Sequence, residues 1–130
     1  MSEKSKYRIL VVDDEQDITT IMKKGLEIEG FDVDTFNDPL KALEHFEKGA
    51  YNLVILDIRM TPITGFELYR RILKIDNKVT VCFMTSFEIY YDEFKKIFPT
   101  IRVDCFIHKP VTIDKLAKLI TAQLDAAKAR

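Results

Sequence analysis

The feature that most constrains the fold is an alternation of short apolar runs with amphipathic segments. The candidate strands are Arg8–Val12, Phe31–Phe36, Leu53–Leu56, Val79–Met84 and Cys105–His108. Apolar residues recur with helical spacing in Asp17–Glu29, Leu40–Phe46, Gly65–Ile75, Tyr90–Phe98 and Ile113–Leu124. Strands that alternate with helices over short connections form a parallel sheet with helices on both faces. The sequence therefore predicts an α/β, doubly wound fold with five strands and five helices.

The composition of the strands predicts their order in the sheet. The first, third and fourth strands are apolar on both faces, as interior strands of a parallel sheet are. The second strand alternates apolar and polar residues across Phe31–Phe36, which is typical of a half-exposed edge strand. These patterns are consistent with the order 2-1-3-4-5 of flavodoxin-like folds.

Length and composition limit the class of protein. The chain has 130 residues, with 20 basic and 21 acidic side chains and a net charge of −1. This balance offers no basic surface for direct nucleic-acid binding. The longest apolar runs have four residues, too short to cross a bilayer, and the first residues lack the hydrophobic segment of a secretory signal. We therefore expect one cytoplasmic domain over residues 1–130, with its core at about 8–124 and no membrane insertion.

The two cysteines, Cys82 and Cys105, form no CxxC pair and lie in or beside apolar segments. In a reducing cytoplasm such cysteines are usually buried free thiols. We expect no disulfide between them.

Polar side chains follow the predicted strands at the points where the strands end. They are Asp13, Asp14 and Glu15 after the first strand, Asp57 after the third, Thr85 after the fourth and Lys109 after the fifth. The carboxyl ends of parallel strands share one edge of the sheet, and ligands bind there at the point where the strand order reverses. The sequence thus predicts that acids, a hydroxyl and an ammonium group meet in one crevice.

Charge balance indicates what this crevice binds. Asp13, Asp14 and Asp57 together carry three negative charges when ionised, which a divalent cation and Lys109 would neutralise. Oxygen ligands without His or Cys favour Mg²⁺, with Mn²⁺ as the alternative, over zinc.

At this point the sequence resembles the CheY-like receiver domain of two-component response regulators. The matching motifs are VVDDE (Val11–Glu15), LDIRM (Leu56–Met60), MTS (Met84–Ser86) and FIHKP (Phe106–Pro110), with Gly65 eight residues beyond Asp57. The resemblance extends from about Arg8 to Leu124.

The resemblance implies a phosphoacceptor switch in a two-component phosphorelay. Asp57 would be the carboxylate nucleophile that takes a phosphoryl group from a histidine kinase or a phosphotransfer protein. Thr85 and Lys109 would complete the catalytic set, with Lys109 paired to the phosphoryl group and a cis bond between Lys109 and Pro110. The chain would be no enzyme in the usual sense, since it would catalyse only its own phosphorylation and slow dephosphorylation.

The resemblance also implies the metal ligands. Asp14 would bind Mg²⁺ directly, Asp13 mostly through water, and Arg59 through its backbone carbonyl. The metal would join Asp57 to the incoming phosphoryl oxygens, and it would offset the negative charge that develops during transfer.

The expected output depends on Thr85 and Phe106. The Thr85 hydroxyl would move to donate to a phosphoryl oxygen, and Phe106 would turn into the vacated space. This would bias two states of the surface formed by the fourth helix, fifth strand and fifth helix, the α4-β5-α5 face of the family, toward an unknown protein target. The resemblance is compatible with a monomer or with a dimer linked to phosphorylation.

Two sites depart from the family pattern. The proline usually four residues after the phosphoacceptor comes one residue later, as Pro62 after Thr61. Arg102-Val103 replaces the usual Gly-Ala before the fifth strand.

In the fourth helix, the spacing predicts that Tyr90, Phe94 and Phe98 lie in the core and that Tyr91 is available to a partner.

Other function classes fit less well. A haloacid-dehalogenase-like phosphatase would need a second carboxylate two residues after the nucleophile, where this chain has Arg59. A flavodoxin-like nucleotide or flavin binder would need Gly, Ser or Thr in the first loop, which reads DDEQD. The receiver portion of a longer transcriptional regulator or hybrid kinase stays open. Neither His45 nor His108 is placed as a phosphodonor, so the kinase would be a separate protein or domain.

Arg59 and Phe87 lie two residues beyond Asp57 and Thr85, where receiver domains face the water that attacks the acyl phosphate. A bulky cation and a large ring should hinder that water, so we predict slow dephosphorylation. A Phe87→Ala variant should lose its phosphoryl group faster, as followed by intact mass over time. An unchanged lifetime would contradict the steric role of Phe87.

Overall fold

The computed structural model describes residues 7–86, 96 and 105–128. The strands are β1 (Arg8–Val12), β2 (Asp32–Phe36), β3 (Leu53–Asp57), β4 (Thr80–Thr85) and β5 (Cys105–His108). The helices are α1 (Gln16–Ile28), α2 (Pro39–His45), α3 (Gly65–Ile75) and Ile113–Lys128, which we call the 113–128 helix. The predicted fourth helix and Phe87, Tyr90, Tyr91, Phe94, Phe98, Arg102 and Val103 lie outside the described residues.

All five strands pair in parallel, in the order β2-β1-β3-β4-β5. This confirms the predicted doubly wound α/β fold and the position of the second strand at an edge. The interior strands β3 and β4 are buried along their whole length. Their apolar composition on both faces is therefore explained by helices that cover both sides of the sheet.

Two apolar layers cover the two faces because successive strand residues point to opposite sides. Leu10, Val54 and Leu56 pack in one layer with residues of α2 and α3. Ile9 and Ile55 pack in the other layer with residues of α1 and the 113–128 helix. The five strand ends thus stand between two helical layers, which hold the polar loops at one edge.

Helix starts follow local chemistry. Asp38 accepts a hydrogen bond from the Leu40 backbone N–H, with Pro39 at the first position of α2. Thr112 accepts one from the Lys115 N–H at the start of the 113–128 helix. The predicted second helix was one residue too long, because α2 ends at His45 and Phe46 has an extended backbone.

The expectation of two free thiols was wrong for this structure, because Cys82 and Cys105 form a disulfide. The two residues are register partners on β4 and β5, with their Cα atoms 4.6 Å apart. Their separation of 23 positions along the chain hides this contact, which depends on the register of the two strands.

Gly65 allows α3 to begin close to the end of β3. Its N–H donates to the Ile58 carbonyl at 2.9 Å, and a Cβ at this position would collide with the Asp57 carbonyl oxygen. Because that oxygen belongs to the backbone, the collision cannot be relieved by a side-chain rotation. Gly65 therefore fixes the path of the chain around Asp57.

We predict that Gly65→Ala lowers the free energy of unfolding by about 3 kcal/mol, at the upper end of overpacking effects. Gly25→Ala is the matched comparison, since its Cβ would meet the side chain of Ile113 at 2.6 Å. That side chain can move, and alanine favours a helix by up to about 1 kcal/mol. Urea denaturation followed by circular dichroism measures both. Equal losses for the two variants would contradict the backbone explanation.

Candidate functional site

The residues predicted from the strand ends lie at one edge of the sheet. Asp13 follows β1, Asp57 and Thr85 are the last residues of β3 and β4, and Lys109 follows β5. Carboxylate oxygens of Asp13, Asp14 and Asp57 lie within 4.8 Å of one another. Asp13 and Asp57 are buried, whereas Asp14 is exposed. The structure therefore brings together the three acids that the sequence placed there.

Lys109 is the cation of this cluster. Its Nζ lies 2.9 Å from Asp13 Oδ2, 3.4 Å from Glu15 Oε1 and 3.6 Å from Asp57 Oδ2. Burial alone would lower the pKa of Lys109, but the neighbouring carboxylates, Asp13 first, outweigh it and raise the pKa. Lys109 is also fixed through its backbone, because its N–H donates to the Thr85 carbonyl at 2.8 Å. The ammonium therefore stays charged and directed at the acids.

The Asp13 carboxylate is the most confined acid, with 0% of the residue exposed. Its Oδ1 accepts a hydrogen bond from the Glu15 N–H at 2.9 Å. Its Oδ2 is paired with Lys109 Nζ and has no other hydrogen-bond donor among the described residues. A buried carboxylate oxygen with spare coordination capacity is the donor that a hard cation requires. The acids present therefore fit Mg²⁺ or Mn²⁺.

The pKa of Asp57 is raised from 3.8 to about 7. Burial is the largest cause, and the negative charge of Asp13 adds to it, while Lys109 acts in the opposite direction. One lysine does not compensate for the remaining acids. A divalent cation would supply the missing positive charge and favour the ionised, nucleophilic carboxylate.

A cavity of about 200 Å³ opens at this edge, lined by Asp14, Glu15, Asp57, Arg59, Thr85, Ser86 and Lys109. Thr85 is buried at its wall, and Arg59 is exposed. Phe106 lies on β5, half-buried, with its ring centroid 5.7 Å from that of Phe83. Phe87 lies outside the described residues.

The peptide bond between Lys109 and Pro110 is cis, as the resemblance implied. The bond between Thr61 and Pro62 is also cis, which sequence reasoning did not foresee.

Sequence reasoning also missed Asn37, which lies between β2 and α2. Its Nδ2 donates to the Asp13 carbonyl at 2.8 Å and to Thr19 Oγ1 at 3.0 Å. The Asp13 carbonyl belongs to the peptide that joins Asp13 to Asp14, so Asn37 orients both acids. An asparagine beside the helix cap Asp38 is typical of a turn. No local pattern indicates that Asn37 donates a hydrogen bond to a residue 24 positions earlier in the chain.

Comparison with known proteins gives a consistent result. The family model of the response regulator receiver domain matches residues 9–121. The transcriptional regulatory protein TrcR of Mycobacterium tuberculosis is 30% identical over 86% of this chain and 43% of its own length. The uncharacterized transcriptional regulatory protein YkoG of Bacillus subtilis is 30% identical over 92% of this chain and 51% of its own. The chain thus spans about half the length of these relatives.

Solved structures show the same similarity. A CheY-like receiver domain protein of Methanospirillum hungatei superposes with a TM-score of 0.80 at 27% identity, over 95% of this chain and 97% of that one. The response regulator TrrA of Thermotoga maritima, solved with Mg²⁺ and a beryllium fluoride, has a TM-score of 0.77 at 32% identity. That match covers 90% of this chain and 98% of TrrA.

The raised pKa of Asp57 predicts that the free energy of unfolding of the metal-free protein depends on pH. The folded state keeps the Asp57 proton at pH values where the unfolded chain has lost it, so this contribution to stability falls as the pH rises from about 4 to about 7. Asp57→Asn, which does not ionise, should match wild type near pH 4 and exceed it above pH 7 by up to about 4 kcal/mol.

Urea denaturation in a chelator at a series of pH values measures this difference, and Mg²⁺ should reduce it. A stability difference that does not change between pH 4 and pH 8 would contradict the electrostatic origin.

Asn37→Ala should weaken Mn²⁺ binding about tenfold, because residues that orient metal ligands commonly have effects of this size. Electron paramagnetic resonance of free Mn²⁺ at increasing protein concentration measures the affinity. Asp38→Ala is the matched control, since it removes the adjacent cap of α2 without touching the Asp13 carbonyl. Equal weakening in both variants would show a general loosening of this loop and refute the role of Asn37.

Proposed function

The chain belongs to the response regulator receiver domain family, and from that membership we propose that it is a phosphorylation switch whose phosphoacceptor is Asp57. The donor would be the phosphohistidine of a histidine kinase or a phosphotransfer protein. The observation that carries this proposal is the meeting of Asp13, Asp14, Asp57 and Lys109 at one edge of the sheet. No other cluster of three or more acids, His or Cys with metal-ligand spacing occurs among the residues that the structure describes.

The proposed reaction transfers one phosphoryl group. An Asp57 carboxylate oxygen attacks phosphorus, the bond from phosphorus to the donor's imidazole nitrogen breaks, and an acyl phosphate forms on Asp57. Lys109, 3.6 Å from Asp57 Oδ2, is placed to pair with a phosphoryl oxygen. A divalent cation held by Asp13, Asp14, Asp57 and the Arg59 carbonyl would neutralise charge during transfer. Asp57 is 5% exposed, which limits the contact of its carboxylate with bulk water.

The response would begin at the ends of β4 and β5. Phosphorylation changes the charge at Asp57 from −1 to about −1.5 to −2 and adds acceptor oxygens. The Thr85 hydroxyl would donate to one of them, and Phe106 would change its packing against Phe83. These changes would bias two states of the surface that includes β5 and the 113–128 helix, and a protein target would read that surface.

An apolar groove next to the site supports a protein as phosphodonor. The groove has a volume of about 430 Å³ and runs between α1 and the start of the 113–128 helix, with Lys109 and Glu15 at its edge. Ile18, Met22 and Val111 line it, and Ile21 is 61% exposed beside them. Apolar surface of this kind, rimmed by charge, is typical of protein interaction sites.

The chain would act as the receiver portion of a longer transcriptional regulator, since it spans about half of TrcR and YkoG. DNA binding would then belong to another domain, and this domain would act through proteins as a monomer or a phosphorylation-linked dimer. No helix among the described residues is long and apolar enough to span a membrane. We place the protein in the cytoplasm as part of this proposal. It would catalyse only its own phosphorylation and slow dephosphorylation.

Incubation with Mg²⁺ and acetyl phosphate, followed by intact mass, tests the proposal. Wild type should gain about 80 daltons, the mass of one phosphoryl group, and Asp57→Asn should gain nothing. Asp76→Asn is the matched control, because Asp76 is another buried aspartate at 5% exposure but contacts Gly49 and Lys78 instead of the site. It should be phosphorylated like wild type. Phosphorylation of Asp57→Asn, or none in wild type, would refute the proposal.

A further inference from the structure

The Cys82–Cys105 disulfide joins the two strands that carry the output residues. It follows from strand register, since Cys82 and Cys105 pair across β4 and β5. They are the only two cysteines in the chain. We propose that this pair is a reversible redox site that exchanges with low-molecular-weight thiols and disulfides, and that the closed bond restrains the relative movement of β4 and β5 in the proposed response to phosphorylation. The restraint rests on the proposed function, whereas the thiol exchange does not.

The two cysteine residues differ in burial. Cys82 is 0% exposed, in the core layer with Leu116 and Ile120 of the 113–128 helix. Cys105 is only partly buried, and among the strands that the structure describes β5 pairs with β4 alone. In the proposed exchange, an attacking thiolate therefore approaches Cys105, the less buried of the two residues. Disulfides with an exposed sulfur are typically the labile and regulatory ones.

The exchange is a balanced two-step reaction. A small-molecule thiolate such as glutathione attacks Cys105 Sγ, forms a mixed disulfide there, and releases the Cys82 thiolate, which takes a proton. A second thiolate attacks the sulfur of the small molecule and releases Cys105 as a thiol. The products are two protein thiols and one oxidised glutathione, formed from the protein disulfide and two glutathione molecules. Oxidation by a small-molecule disulfide is the reverse reaction.

The position of the bond explains why it would affect the output. Phe106 is the residue after Cys105, and its register partner Phe83 is the residue after Cys82. Thr85 pairs with His108 at the far end of the same ladder, and Lys109 bonds to the Thr85 carbonyl. Phe106 is thus one position from the disulfide on β5, and Thr85 is three positions from it on β4. A shift of β5 along or away from β4 is limited while the bond is closed.

The 113–128 helix extends the effect beyond the strand. Its Leu116 and Ile120 pack in the same apolar layer as Cys82 and Ile107. A change in the spacing of β4 and β5 would therefore reach the surface of this helix, which belongs to the proposed output face.

Thiol exchange is tested first, without any phosphoryl donor. Wild-type protein is equilibrated in buffers with graded ratios of reduced to oxidised glutathione, its free thiols are alkylated, and its intact mass is measured. We expect the doubly alkylated form to replace the unmodified form as the reduced fraction rises, with the same distribution approached from either side. A bond that opens only in denaturant, or that never forms in oxidised glutathione, overturns the proposal.

Coupling to phosphorylation is tested next. Hydrogen exchange of the β5 amides is compared before and after treatment with Mg²⁺ and acetyl phosphate, in oxidised and in reduced protein. We expect the change on phosphorylation to be several-fold larger in reduced protein at equal phosphoryl occupancy, as measured by mass. Equal changes overturn the restraint. No phosphorylation in either redox form would overturn the proposed function, while the thiol exchange would still be decided by the first test.

The double variant Cys82→Ala, Cys105→Ala is the control for other oxidation effects. It should show the larger, reduced-type response in both buffers. A redox difference that persists in this variant would overturn the assignment to these cysteines. Because the comparison in wild type requires no substitution, the test holds even where the double variant fails to fold.

Discussion

The rest of the site depends on a concentration of negative charge that the fold alone does not neutralise. Asp13 and Asp57 are buried side by side, with Asp14 at the mouth, and Lys109 supplies a single positive charge. Burial of unneutralised acids costs stability, and the pKa of Asp57 of about 7 expresses that cost. The arrangement fits the cation that we propose for this site, because a divalent ion would offset the remaining negative charge. A domain evolved for stability alone would replace one of these acids.

The parallel sheet explains how residues so far apart in the chain reach one cavity. Each strand delivers its next residue to the same edge, so the register of β1, β3, β4 and β5 places the acids, the hydroxyl and the ammonium. Rigid support comes from the apolar layers on both faces. The loops are held by specific bonds, such as Asn37 to the Asp13 carbonyl and Gly65 to the Ile58 carbonyl. The sheet therefore sets the positions of the strand ends, and these hydrogen bonds hold the loops that follow them.

What the sequence could predict follows from the range of each interaction. The strands, the edge position of β2 and the caps at Asp38 and Thr112 depend on neighbouring residues, and the strand ends then locate Asp57 and Lys109 by topology. Asn37 and the cysteine pair depend on contacts between segments 24 and 23 positions apart, for which no local pattern exists. The cytoplasmic expectation even argued against the disulfide. The register of β4 and β5 brings the two cysteines together, which a rule about compartments does not take into account.

The disulfide and the acidic site lie at different positions along the same pair of strands. The acidic site lies beyond the carboxyl ends of β4 and β5, and the cysteines lie at the opposite end of their shared ladder, where Cys82 pairs with Cys105. Phe83 and Phe106 lie between these two points, in contact with each other. In the proposed switch, a phosphoryl group at one end would shift β5 only as far as the disulfide at the other end permits. If both inputs change the relative position of the two strands, as we propose, their free energies are coupled, and each alters the equilibrium of the other by the same amount.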